Sequence, residues 1–379
     1  MAEPAPAPAS EWTPMLLAVK AGDTDAVRRL LEAGEPAQPP APSTVLTPIL
    51  VAACKGHVAV LELLLQHGAD VNSIILSDSI PPERWSLLAF TVPRGNMEVI
   101  EWLLQHGADP NCLGSAGTPL IITIQEERHN LPTKAAVVRT LLRGGADPDA
   151  RTGNYREMTA LMMACRLGFV DAAEELLLTG AGLELGDENG WTALYWAVVR
   201  EHTEAARLLI RHGASLECRN SVGMTPLMVA AQLGSSESAE LLLLAGAAPN
   251  VVDEGGWTAL HWAAAGGHLE TARLLLSHRA SLEIRNKPGW NAVDMAANQH
   301  PLEFDCGPMV DLLLASGAEP TLSEQTAPGW ELIYRSERGR REACEALLRE
   351  ERAKVESFKR ALPHIVACAA TASNKRPRV

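Results

Sequence analysis

Residues 255–283 read GGWTALHWAAAGGHLETARLLLSHRASLE. The stretch sets two tryptophans, three histidines and two glutamates in one apolar segment, residue types suited to metal or proton chemistry. Recurrence decides whether it is a site or a scaffold. Residues 189–217 read NGWTALYWAVVREHTEAARLLIRHGASLE, and residues 222–250 read VGMTPLMVAAQLGSSESAELLLLAGAAPN. Thr159, Thr192, Thr225 and Thr258 follow one another at intervals of 33 residues, and Asn291 continues the series. A fixed period of this size indicates stacked supersecondary units, none able to bury its apolar face alone. Between units the apolar positions persist, whereas His261 is replaced by Tyr195 or Met228. A catalytic group does not tolerate that exchange, and a packing position does. The stretch is scaffold.

Each unit carries start and stop signals for two helices. Thr225 is a good N-cap, and Pro226 follows at the first helical position, where its missing N–H costs nothing. Pro14, Pro48 and Pro119 repeat the signal. Leu227, Ala230 and Ala231 share one helical face, and the small alanines let neighbouring helices approach closely. Gly234 ends the first helix. The leucine run at 241–244 marks the second, which stops at Gly246, as Gly68, Gly107, Gly145, Gly180, Gly213 and Gly317 stop its counterparts. About a dozen residues then lead to the next start, room for a hairpin-like finger. Starts fall at Thr13, Thr47, Ser86, Thr118, Thr159, Thr192, Thr225, Thr258 and Asn291, nine units in all.

The threonine-led start, the "GH" at the turn and the "LLL..GA" stop resemble the ankyrin repeat. TALHWAAAGGHLETARLLL at 258–276 and TPILVAACKGHVAVLELLLQHGADVN at 47–72 match best, and the resemblance spans about residues 11–320. It implies an all-α solenoid of helix-turn-helix units, a curved right-handed stack that binds other proteins through its fingers and inner helices. On this reading residues 1–10 are a disordered Pro/Ala-rich arm and 11–320 are the array. Residues 321–362 are a degenerate capping unit followed by a C-terminal helix, and 363–379 are a disordered basic tail.

Composition narrows the function. The chain has 379 residues and a net charge of −13; from Arg335 onward the balance is +6, and before it −19. An acidic array repels phosphate backbones, so no nucleic-acid partner is expected. The start MAEPAPAPAS lacks the features of a secretory signal, and no apolar run reaches the ~18 residues of a membrane span. The expected protein is a monomer of the cytoplasm. A KRPR cluster (Lys375, Arg376, Arg378) fits a minimal nuclear-import pattern. Seven cysteines form no CxxC pair and no close cluster; Cys165 takes an alanine slot, and Cys112 and Cys218 share another, so the cysteines are read as small buried apolar residues in a reducing compartment, without a disulfide framework.

No catalytic, cofactor or metal site is expected. His57, His202 and His268 share one slot of the repeat, and His67, His106, His212 and His278 share another, so packing accounts for them. There is no HExxH, no zinc spacing, no phosphate loop and no nucleophile elbow. Asp187 and Asp253 open their fingers, where aspartate caps turns. Tryptophan gives the stronger signal. Trp12, Trp85, Trp191, Trp257 and Trp290 directly precede first-helix starts, Met158 and Met224 take the same slot, and Trp330 fits it loosely. Such residues either pack against their own finger or form an exposed aromatic ridge. On the second reading Trp85, Met158, Trp191, Met224, Trp257 and Trp290 bind the partner, while Trp196 and Trp262, five residues into their units, are buried. Extra residues in ILSDSIPPERW, EERHNLPT and QHPLEFDCGP are candidate specificity loops. The expected function is a non-enzymatic adaptor or scaffold. Its rivals are a ubiquitin-ligase substrate receptor, a nuclear cofactor and an enzyme.

Overall fold

The computed structural model describes residues 13–38, 46–76, 84–114, 117–125, 134–152, 157–298 and 307–319. Its contacts divide the chain into two compact units, Met1–Glu188 and Asn189–Val379. In the first, helices pair in chain order as Pro14–Ala21 with Thr24–Glu32, Pro48–Lys55 with Val58–Gln66, Leu87–Thr91 with Met97–Gln105, Pro119–Gln125 with Lys134–Arg143, and Ala160–Leu167 with Val170–Leu178. The second pairs Ala193–Val199 with Thr203–Arg211, Pro226–Leu233 with Ser236–Leu244, Ala259–Gly266 with Leu269–Ser277, and Ala292–Asn298 with Gly307–Ala315. Within each unit, first helices pack on first helices and second on second, which buries the alanine and leucine stripes.

The caps explain where the helices begin. The hydroxyl of Thr13, Thr47, Ser86, Thr159, Thr192, Thr225 or Thr258 accepts the backbone N–H three residues on, at 3.1–3.4 Å. Thr118 does the same for Ile121 at 3.4 Å, and the Asn291 side chain accepts from Asp294 at 3.1 Å. Left-handed backbone ends the helices. The seven stop glycines expected from sequence all have positive φ, and Gly34 joins them. Arg279 occupies this slot with φ +64°, and Glu201 sits at a first-helix stop with φ +57°.

Most fingers are tight turns. Among the described residues the strand pair is Ile74–Leu76 with Arg84–Ser86, antiparallel, Ile75 facing Trp85. Elsewhere the finger closes on its last residue: Asn220 N donates to Met224 O at 3.2 Å, Asp253 N to Trp257 O at 3.0 Å and Asn286 N to Trp290 O at 2.9 Å. The terminal arm, the capping unit and the tail lie outside the described residues, as do most of the three candidate specificity loops.

Candidate protein-binding surface

The slot before each first helix does not form an exposed ridge. Trp85, Met158, Trp191, Met224 and Trp257 are all buried, at 8% exposure or less, and Trp290 alone of the six is half-exposed. The rings of Trp85, Trp191 and Trp257 each pack on the helix they precede. Trp191 lies 4.2 Å from the Tyr195 ring and 4.9 Å from Trp196, and Trp257 lies 4.6 Å from Trp262. Trp85 meets Phe90 edge-on at 6.4 Å. Trp196 and Trp262 are buried too, so the two tryptophan slots form one layer under the finger. The turn four residues before the slot does not bury it alone, since Trp290 follows the same turn as Met224 and Trp257 and is half-exposed. Trp12, Trp330, Lys375, Arg376 and Arg378 lie outside the described residues.

The buried polar groups serve this layer. Asp253 Oδ1 accepts from Gly255 N at 2.8 Å and Trp257 N at 2.9 Å, and Oδ2 accepts the Trp262 indole N–H at 3.1 Å. Burial raises the Asp253 pKa, partly offset by those three bonds. Asn220 and Asn286 hold the same place. Their Oδ1 atoms cap Met224 N and Trp290 N at 2.9 Å, while their amide N–H groups turn to acceptors, the Tyr195 hydroxyl and the Met295 sulfur. The residue is acidic where the facing group donates, and an amide where it accepts.

Six of the described histidines bond backbone carbonyls. The second ring nitrogens (Nε2) of His57 and His268 bond the carbonyls of Lys20 and Gln232 in the preceding helix pair, at 3.3 and 3.1 Å. His67, His106 and His278 bond through Nδ1 to the carbonyl four residues back, at 2.8–2.9 Å. His261 is buried. Its Nε2 donates to Trp290 O at 3.1 Å, so Nδ1 is the acceptor facing Thr258 N at 3.2 Å. Burial lowers its pKa, against the Trp290 carbonyl and the Asp294 charge, which raise it. No three His, Cys, Asp or Glu side chains among the described residues stand together as a metal site. The cysteine reading needs correction. Of the four described cysteines Cys165 is buried, its thiol pushed up to about 12 by desolvation, but Cys54, near the end of helix Pro48–Lys55, and Cys112 and Cys218, whose slot lies on the finger, are only half-buried.

Sequence reading missed the staples between successive repeats. Asn72 donates to Gly107 O at 3.0 Å and accepts from Asp109 N at 2.8 Å. Asn111 bridges Gly145 O and Asp147 N in the same way, and Asn250 bridges Arg279 O and Ser281 N. Asn72 and Asn111 recur two residues after an aspartate (DVN, DPN), a signal visible in the sequence. At the tips, Ser221 N donates to Asn189 O at 2.9 Å, Glu254 N to Val222 O at 3.3 Å and Lys287 N to Gly255 O at 2.9 Å. The backbone of each finger is thereby fixed by its neighbour, and the side chains of Ser221, Glu254 and Lys287 stand exposed.

Paired antiparallel helices, capped by threonine and joined through stapled fingers, define an all-α repeat solenoid. The family model for ankyrin repeats, three copies long, matches residues 3–75, 87–185, 170–253 and 227–324, and the chain belongs to the ankyrin-repeat family. Ankyrin repeats bind other proteins. No curated protein matches the chain. Among the described residues no helix is long and apolar enough to cross a membrane.

Proposed function

We propose that the protein is a monomeric, non-enzymatic adaptor or scaffold whose second unit reads a partner protein with its fingertips. One observation carries this reading: a backbone frame held constant by tip-to-tip hydrogen bonds presents a different charge on successive fingers, neutral at Ser221, acidic at Glu254 and basic at Lys287. Rigid backbone with variable exposed side chains is the arrangement that separates specificity from stability. The buried tryptophans support the frame. Among the described residues, Trp290, half-exposed beside Lys287, is the member of the aromatic slot placed to add apolar contact. The cytoplasm is the proposed location, with Lys375, Arg376 and Arg378 as an import signal.

The test is affinity capture with the full chain, followed by direct titration of the captured protein. Glu254→Lys combined with Lys287→Glu should weaken binding at least about tenfold, since charge mismatch across an interface costs more than a kcal/mol. Thermal melting should hold, because exposed substitutions of this kind shift stability by only ~0.5 kcal/mol. Unchanged affinity for the captured protein would move the binding face elsewhere.

A further inference from the structure

Two adjacent fingers of the first unit share a surface pattern. After helix Val58–Gln66, Asp70, Asn72 and Ile74 are exposed and alternate with buried Val71, Ser73 and Ile75. After Met97–Gln105, Asp109, Asn111 and Leu113 are exposed, and Pro110 and Cys112 between them are half-buried. Alternation of this kind puts each exposed set on one face of its segment. Each face reads acid, amide, aliphatic. Among the fingers described through all three positions, the combination occurs in these two. Later fingers place Arg151, Gly186, Arg219 or Arg285 at the third position, and the finger with Val252 has Ala248 at the first.

The two faces stand side by side. Asn72 donates to Gly107 O and accepts from Asp109 N, and a Cβ on Gly114, next to Leu113, would stand 2.7 Å from Arg84 O of the preceding finger. Third positions of successive fingers lie within one side chain's reach: Arg151 donates to Gly186 O at 2.9 Å, and Arg219 to Val252 O at 2.8 Å. Ile74 and Leu113 take this position at 42% and 59% exposure. The fold does not need an aliphatic side chain there, since it accepts arginine and glycine in other fingers. The carboxylates are held in place. Asp70 Oδ1 accepts from Asn72 N at 2.9 Å and Asp109 Oδ1 from Asn111 N at 2.8 Å, and among the described residues no cation pairs with either. Adjacent exposed aliphatics beside fixed anions complement cationic and aliphatic side chains presented together.

We propose that this face docks a partner protein through a segment that sets lysine or arginine beside aliphatic residues. It shares no residue with the tip surface proposed for the second unit, so the adaptor has a surface in each unit, and the two differ in chemistry.

Fluorescence anisotropy of labelled peptides on the full chain tests this. The peptide KLKKLKKL should bind at least about tenfold more tightly than KSKKSKKS, which lacks the aliphatic groups. Leu113→Arg should weaken KLKKLKKL at least about tenfold, and Asp70→Asn with Asp109→Asn about fivefold. Melting temperatures should hold, because arginine fills the same position at Arg151 and asparagine keeps the Oδ1 acceptor. Glu98→Gln with Glu101→Gln makes the same change of net charge on helix Met97–Gln105 and should leave the affinity unchanged, as should Glu254→Lys with Lys287→Glu. Equal binding of the two peptides overturns the proposal, as does binding of KLKKLKKL that survives either the Leu113 or the aspartate change. A gain of roughly tenfold in the full chain carrying Lys375→Glu, Arg376→Glu and Arg378→Glu overturns it too, assigning the face to the chain's own tethered basic end.

Discussion

Arg279 and Glu201 stand where the backbone turns left-handed, in slots their counterparts fill with glycine. A Cβ in that conformation costs roughly 1 kcal/mol. Arg279→Gly and Glu201→Gly should each stabilise the protein by about that amount, and the pair should be nearly additive because the sites are far apart. Urea midpoints should rise with the slope unchanged; a fall for Arg279→Gly would show that the arginine head makes a contact worth more than the strain. His261 gives the residue scale a pH dependence. Its folded pKa lies below the unfolded value of about 6.5 because burial penalises the imidazolium. Protonation therefore favours the unfolded chain: the stability tied to the neutral ring is fully present above about pH 6.5 and is lost as pH falls through the folded pKa. In His261→Met, which copies Met228 in the same slot, the fall in stability between pH 7.5 and 5 should be smaller than in the wild type. Arg279 was legible as an anomaly in the sequence, since the slot's glycine is conspicuous. Glu201 was not, because its slot was read only from Gly234.

At the scale of helix and finger, the starts and stops were plain, because caps and glycine stops act within one turn of chain. Thr, Pro and Gly at fixed offsets need no tertiary partner to be interpreted. The orientation of the tryptophan slot was not legible. A period of 33 says that the same place recurs, and residue size says that it packs; neither says what lies over it. Cover comes from the finger's own turn and from the next finger, so it depends on the fold. Gly256 measures that cover. Gly256 and Gly267 both have positive φ, +80° and +69°, and both lose a similar amount to strain on gaining a Cβ. Only at Gly256 would the Cβ press on the next finger, 3.0 Å from Asn286 Cα, whereas at Gly267 it meets nothing within 4 Å. Gly256→Ala should thus be the more destabilising of the two by about 1–3 kcal/mol, the range of overpacking. Equal losses would mean the fingers yield freely.

For the molecule as a whole, the consequence of neighbour-only contact is that damage stays local. Trp191→Ala and Trp262→Ala each empty a buried aromatic site and should cost ~3–5 kcal/mol. Hydrogen exchange should then accelerate most in the helices flanking the substituted repeat, Pro226–Leu233 for Trp191 and both Pro226–Leu233 and Ala292–Asn298 for Trp262. Uniform acceleration across Asn189–Val379 would instead show that this unit unfolds as one block. The family was readable from sequence because motif and period recur together. The proposed binding face was not, because the positions it would use, such as Ser221, Glu254 and Lys287, are ones the repeat leaves unconstrained.

The staples carry one more implication. Every side-chain bond between repeats described here joins residues 29–37 positions apart, whether made by asparagine at a finger base or by histidine at a turn. Copying one whole repeat in tandem gives each such group a partner of the same kind at the same distance. Copying half a repeat leaves these groups, exposed asparagines such as Asn72, Asn111 and Asn250 among them, without their counterpart. The architecture therefore permits growth only in complete units, and confines smaller length changes to the stretches between staples, where ILSDSIPPERW and EERHNLPT are found. A gene for such a chain can lengthen by unequal crossing-over without repacking a single core position.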